Sequence, residues 1–419
     1  MSTRKRELPW LPEMEPIEVQ LERKRQKMTD CQFYDLPDEI ILRVMSNLKA
    51  KELIQCGQVS WRIRNISHDK SIWQNVDLSG KKVSTDFVEM ILSNRCKYLN
   101  LTDSILKRGN LSLRKKSNWM DLISLDLSGC VSSSDDLEEL LASCNSLETL
   151  SLFNIGLTQK MVDSACENGK QLKYLKYLKY HGAKRKRKRL EKLLDSCHSL
   201  EEVMLQHIRL TSKMIKSLCF KNHLTLQKVD FSFCKGLKLK SIKLIVNNCI
   251  EIKELKLGDS LSKRSLTYLV NNLTTKIEIL SLRYQDNLDD VHVMDLVKRC
   301  KRLSVLDLDG TSTSNICIIG IMVYLKLTLK ELSVVNCEYI CYSILLELLD
   351  MEQLRVLKCN NGDAKILKKE LSNVEINEVQ EDNFFGSYAY LHSTGMSEGL
   401  KVWEASSNVG GIICHLWLR

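Results

Sequence analysis

Leu147-Glu-Thr-Leu150-Ser-Leu152-Phe153 is the stretch whose reading decides the fold. Its Leu-x-x-Leu-x-Leu phrase recurs, with first positions at Leu122, Leu147, Leu172 or Leu175, Leu200, Leu226, Ile252, Ile277, Leu303, Leu329 and Leu354. Apart from the one ambiguous step, consecutive starts lie 25 or 26 residues apart. A beat of that length marks a leucine-rich solenoid, in which each unit supplies a strand and a helix. The expected fold class is therefore α/β, a horseshoe of about ten or more repeats. Strand side chains alternate, so Leu150 and Leu152 point into the core while the residues between them face the concave side. Segments between strands have helical spacing, as at Leu137, Leu140 and Leu141 or Val293, Leu296 and Val297, and belong on the convex side.

At 419 residues the chain would make two or three ordinary domains, but a repeat array grows by stacking. It is 44% hydrophobic with only four prolines, a globular composition. No run approaches the roughly 18 uncharged apolar residues of a membrane span. Met1 to Asp30 is dense in Arg, Lys and Glu and lacks the apolar core of a signal peptide, which points to a chain that is not secreted. Sixteen cysteines fit that reading once their phase is seen. Cys144, Cys197, Cys249 and Cys300 each precede a repeat's first Leu or Ile by three residues, and Cys130, Cys234 and Cys337 each follow a strand by three. Recurrence in phase makes them small core residues rather than bridges. Cys337-x-x-x-Cys341 has no matching Cys/His pair nearby, so no metal is expected. The eight histidines are scattered, Gly-rich phosphate loops are missing and no activated thiol stands out, so neither a cofactor nor a catalytic residue is expected.

Four segments follow: a charged, disordered region over 1–32, a compact helical unit over 33–70, the solenoid over 71–372, and an aperiodic tail over 373–419. The tail holds Phe384, Phe385, Tyr388, Tyr390, Trp403 and Trp417, enough aromatic surface to pack against the last repeats. In the helical unit Pro37 suits a first helical turn, Asp38 and Glu39 complement the helix dipole, and Ile40, Ile41, Val44, Met45 and Leu48 form one face. Lys49 to Lys51 reads as a connection; Leu53, Ile54 and Val59 belong to a second helix interrupted near Gly57, and a third runs from about Trp61 to His68. So small a core exposes apolar surface for a partner.

Leu36-Pro37-Asp38-Glu39-Ile40-Ile41-Leu42, with Leu48, Leu53, Val59 and a downstream Trp73, resembles the F-box, and its place before a leucine-rich array strengthens the likeness. The resemblance to the F-box/leucine-rich-repeat family implies that Leu36, Pro37, Glu39, Ile40, Ile41, Val44, Leu48, Leu53 and Val59 bind a Skp adaptor, and through it cullin and RING subunits. Where the family usually has Cys-Lys-x-Trp, this chain has Val59-Ser60-Trp61, so the aromatic is displaced. Ser71 to Lys81, Ser343 to Leu349 and Gly411 to Leu416 are similar to a cell-cycle branch of the family. That likeness implies phosphorylated inhibitors of cyclin-dependent kinases as substrates, assisted by a small cyclin-kinase-subunit protein. The other readings are a solenoid scaffold or inhibitor acting without ubiquitin transfer, and a receptor for unrelated substrates.

The concave pattern exposes Asp126, Phe153, Asp230, Lys256, Arg283, Asp307, Asp309 and Lys358, a mixed-charge stripe suited to a protein partner. Arg283 and Lys256 could meet acidic or phosphorylated groups. Of the net charge of +10, Lys184, Arg185, Lys186, Arg187, Lys188 and Arg189 supply six, and the rest looks nearly balanced. The run is a nuclear-import candidate, which gives an expected location in nucleus and cytoplasm. With no aromatics interleaved in it, neither nucleic acid nor a membrane is an expected partner.

Overall fold

A computed structural model describes residues 33–107, 121–144, 146–167, 172, 175–181, 187–258, 261–370 and 374–379. The segment 1–32, the tail beyond 379 and Lys184, Arg185 and Lys186 lie outside the described residues.

The helical unit consists of α1 (Asp38–Met45), α2 (Ala50–Cys56) and α3 (Trp61–Ser67). Pro37 is the N-cap of α1 rather than a residue of its first turn. Lys49 to Lys51 is no connection: Lys49 caps α2, and the Glu52 carboxylate accepts from the Lys49 backbone N–H at 2.7 Å. Such a hydrogen bond satisfies one of the orphan donors at a helix start. Gly57 ends α2, so Val59 falls in the turn before α3. Ser60 then caps α3 by accepting from Ile63 N. Ile41, Met45, Leu53, Ile63 and Ile66 form the interior. Arg62 closes the unit by donating from Nε to Asp38 (2.8 Å) and from Nη2 to the Leu36 carbonyl (2.7 Å).

The solenoid contains strands β1 (Asn75–Asp77), β2 (Lys82–Ser84), β3 (Tyr98–Asn100), β4 (Ile105–Lys107), β5 (Ser124–Asp126), β6 (Thr149–Phe153), β7 (Tyr177–His181) and β8 (Glu202–Gln206). It continues through β9 (Lys228–Phe231), β10 (Glu254–Leu257), β11 (Ile279–Ser281), β12 (Val305–Asp307), β13 (Glu331–Ser333), β14 (Val356–Asn360) and β15 (Glu375–Val379). The helices are α4 (Thr85–Ser93), α5 (Ser134–Ser143), α6 (Gln159–Glu167), α7 (Arg187–Ser196), α8 (Ser212–Lys221) and α9 (Leu239–Asn248). They are followed by α10 (Lys263–Asn272), α11 (Asp290–Arg299), α12 (Asn315–Leu325), α13 (Tyr342–Leu346) and α14 (Asn361–Glu370). Every strand except β2 and β4 joins one parallel sheet in chain order, and those two pair with each other.

Register runs straight through the stack: Val76, Leu99, Leu125, Leu150, Leu178, Val203, Val229, Leu255, Leu280, Leu306, Leu332, Leu357 and Ile376 are lateral partners. Leu178 is therefore the strand residue of the ambiguous repeat, which places its first position at Leu175; Leu172 is buried as well. The sheet also passes residue 372, because β15 pairs with β14 only 19 positions on (Leu357 with Ile376). The shorter step hides that strand from a 25-residue period.

The in-phase cysteines Cys144, Cys197, Cys249, Cys300, Cys234 and Cys337 are buried, and all described cysteines are free. Burial pushes the Cys144 thiol up to about 12, as expected of an inert core group. Asn222 occupies the corresponding place in one repeat and is fully satisfied, donating to the Cys197 and Leu218 carbonyls and accepting from Leu200 N. A buried polar side chain without such partners would be costly.

Trp73 fastens the helical unit to the solenoid. It is buried, donates from its indole to the Ser67 carbonyl at 2.7 Å, and meets Phe87 edge to face at 6.2 Å. Trp73→Ala should cost about 3–5 kcal/mol, the usual range for a buried aromatic truncated to alanine. Trp73→Phe should lose about 1 kcal/mol with the hydrogen bond. Chemical denaturation monitored at the helical unit would give that order, and equal losses would contradict it.

Candidate functional site

Two surfaces carry exposed or polar groups beyond what packing needs. The first is the outer face of the helical unit. Ile41 and Leu53 are in its core and Leu36 and Leu48 are half-buried, whereas Pro37, Glu39, Ile40, Val44 and Val59 are exposed. Val59 is 65% exposed and Trp61 78%, with Phe33 and Ile54 also open to solvent. Trp61, Phe33 and Ile54 were not among the expected binding residues. The displaced aromatic at Trp61 was the available signal, since a tryptophan leading a short helix with no core position above it has nowhere to bury. Large apolar residues concentrated on so small a unit are what a partner-binding face requires.

The second surface is the concave side of the sheet. Four residues after the inward strand residue the backbone turns left-handed in nine of the repeats, at Gly80, Asp103, Gly129, Asn154, His207, Phe233, Tyr284, Gly310 and Asn336. Glycine, asparagine and aspartate suit that conformation, whereas a bulky residue there costs about 1–2 kcal/mol. The turn is prepared by a side chain at the strand's last outward position. Asp77, Asn100, Asp126, Asp230 and Asp307 each accept from the backbone N–H two residues on, at 2.8 to 3.2 Å. Three expected binding residues, Asp126, Asp230 and Asp307, thus have one oxygen committed to their own turn.

Along β11 to β13 these carboxylates form a network. The Arg283 guanidinium lies 3.0 Å from Asp307 and 3.1 Å from Asp309. Asp307 also accepts from Ser281 (2.8 Å), and Asp309 from Ser333 (2.6 Å) and Val335 N (2.9 Å). Burial pushes the Asp309 carboxyl up, and the charge of Asp307 adds to the effect. Burial opposes the charge on Arg283, but Asp307 and Asp309 outweigh it and hold the pKa above its ordinary value. Lys256 contacts Glu254 at 2.7 Å, and Lys358 pairs with Glu331. The cationic candidates therefore enter the concave face already paired, so an acidic ligand must exchange partners rather than neutralise bare charge.

On β6 to β9 the face is aromatic. Phe153 stacks on His181 with centroids 6.1 Å apart, His181 meets His207 edge to face at 4.8 Å, and His207 stacks on Phe233 at 4.8 Å. His181 is oriented by Asn154, 2.6 Å from its Nδ1. Phe153 was expected on this face, while His181, His207 and Phe233 become visible only when repeats are aligned by strand. Of the import candidates, Lys188 is exposed, Arg189 donates to the Leu157 carbonyl at 2.6 Å, and Arg187 opens α7. Among the described residues no group of three His, Cys, Asp or Glu side chains could hold a metal, and no helix is long and apolar enough to cross a membrane.

Comparison with known proteins matches this architecture. Residues 33–79 match the F-box-like family model. The chain is similar in fold to a protein in the crystal structure of the yeast Rad7 and Elc1 complex, with a TM-score of 0.54 and 13% identity over 88% of this chain and 100% of that one. A second likeness, to a chain of the TLR13–ssRNA13 complex, reaches a TM-score of 0.43 and 18% identity over 67% of this chain and 42% of that one, short of a shared fold. The protein is thus an F-box-like domain continued by an α/β leucine-rich solenoid.

Burial, with help from His181, holds His207 down to about 4. Its folded value lies below the unfolded one, so the associated stability is present above about pH 6.5 and is lost as pH falls toward 4. His207→Phe should remove that dependence. Denaturant midpoints at pH 7 and pH 5 should fall further for the wild type than for the variant; an equal fall would show that His207 is not held neutral.

Proposed function

We propose that this chain is the substrate-recognition subunit of a Skp–cullin–F-box ubiquitin ligase, with no bond chemistry of its own. The observation that carries the reading is the exposed apolar face of Ile40, Val44, Val59 and Trp61 on a domain pinned to the solenoid through Trp73. A Skp adaptor bound to that face would bring cullin and RING subunits with it. A protein held on the concave side would then be kept near a ubiquitin-loaded conjugating enzyme, raising the effective concentration of its lysines. A rigid connection serves this geometry better than a flexible linker.

For substrates, we favour phosphorylated, cell-cycle-related proteins such as inhibitors of cyclin-dependent kinases, presented with a small cyclin-kinase-subunit protein. The support is the likeness of Ser71 to Lys81, Ser343 to Leu349 and Gly411 to Leu416 to the S-phase kinase-associated F-box protein. Nuclear and cytoplasmic residence belongs to the same reading, with Lys184 to Arg189 as the import run.

Val44→Asp with Trp61→Ala should weaken binding to the Skp adaptor by at least about 30-fold, the effect of losing a hot spot worth about 2 kcal/mol. Both side chains are exposed, so thermal stability should be unchanged. The measurement is adaptor affinity by calorimetry on the full chain. A wild-type chain that binds no adaptor would leave a solenoid scaffold or inhibitor as the better reading.

A further inference from the structure

The positive charge is not spread evenly along the chain. Residues 159–264 hold 25 lysines and arginines against 10 aspartates and glutamates, a net +15 in a chain of net +10, so everything outside them sums to −5. The fold gathers part of this excess in one place. Lys160, Lys188, Lys213, Lys240 and Arg264 each occupy the second position of successive helices α6 to α10, and all five are exposed.

These helices pack side by side, so the five cations form a row along the edge where strands turn into helices. At 8–10 Å between packed helices the row is about 32–40 Å long. Arg209 and Lys235, bridged in parallel at that edge, add charge to it.

Two features separate the row from ordinary surface lysines. First, none of α6 to α10 has an acidic residue in its first turn, whereas α4 and α11, before and after them, have Asp86 and Asp290 there. Cations at the positive end of a helix dipole oppose folding, so helix stability does not explain their placement. Second, three of the five form no ion pair among the described residues. Lys213 lies 3.8 Å from Glu191, and among the described residues Lys188, Lys240 and Arg264 have no ion pair.

We propose that this row is a third binding surface, separate from the F-box-like domain and the concave face, and that its ligand is double-stranded nucleic acid held through its phosphates. Its length corresponds to about one turn of duplex, 34–36 Å. Aromatic side chains are missing from the row itself, which argues against a single strand that would need stacking platforms. Among the described residues the row has no exposed apolar side chain either, so a membrane surface would gain charge attraction but no insertion. Contacts of this kind position a duplex without reading its sequence.

The test uses the full chain and a fluorescein-labelled 24-base-pair duplex of arbitrary sequence, followed by anisotropy from 50 to 200 mM salt. Binding should weaken with a log–log slope between about −3 and −4.5, as expected for up to five phosphate contacts. Lys188→Glu, Lys213→Glu, Lys240→Glu and Arg264→Glu combined should reduce affinity at least 100-fold at a melting temperature no lower than that of the wild type. The same charge change placed elsewhere, at Lys298, Lys301, Arg302 and Lys326, should have little effect. Equal losses from both sets would reduce the row to non-specific attraction and overturn the proposal. So would the absence of duplex binding at 50 mM salt, or tighter binding to the single strand, to vesicles containing phosphatidylserine, or to polyglutamate.

Discussion

The structure depends on a mismatch between two spacings. Neighbouring strands must sit 4.7–4.9 Å apart to exchange hydrogen bonds, whereas packed helices need 8–10 Å. A repeat that places one strand beside the last and one helix beside the last therefore has to curve, sheet inward and helices outward. Thirteen lateral partners from Val76 to Ile376 hold that arrangement with an unbroken apolar ladder. The division of labour follows from it: a concave face of strand side chains, a convex face of helices, and an edge where charge can line up one residue per repeat.

Each repeat must also reverse direction at the end of its strand, and that need determines much of the polar chemistry. An Asp or Asn at the last outward position closes the turn and a left-handed residue completes it. The concave face is consequently less free than its sequence pattern implies. Asp126 and Asp230 are turn-forming residues first, and Arg283 is held by Asp307 and Asp309 from the next repeat. Left-handed His207 and Phe233 depart from what the turn prefers, and both join the aromatic row on the same side.

The ladder was legible because one residue type recurs at one interval, and the phased cysteines were legible for the same reason. Ambiguity arose where a repeat offered both Leu172 and Leu175, and β15 was missed where the interval shortened to 19. The three short helices could be placed from Pro37, Gly57 and Trp61, although the start of α2 could not, because Lys49 caps through its backbone. Side-chain pairing was harder. Arg283 and Asp309 are 26 residues apart and become neighbours only once strands are aligned, a step the repeat permits but composition does not suggest. The charge row was hidden in the same way: an overall +10 conceals a +15 segment offset by acidic remainders.

What links these surfaces to a function is the claim that the helical unit, not the solenoid, is where the adaptor docks. Amide hydrogen exchange of the full chain with and without the Skp adaptor tests it most directly. Protection should rise between Asp38 and Trp61 while the sheet from Leu122 to Leu357 exchanges as before. New protection confined to the sheet, or none at either place, would contradict it.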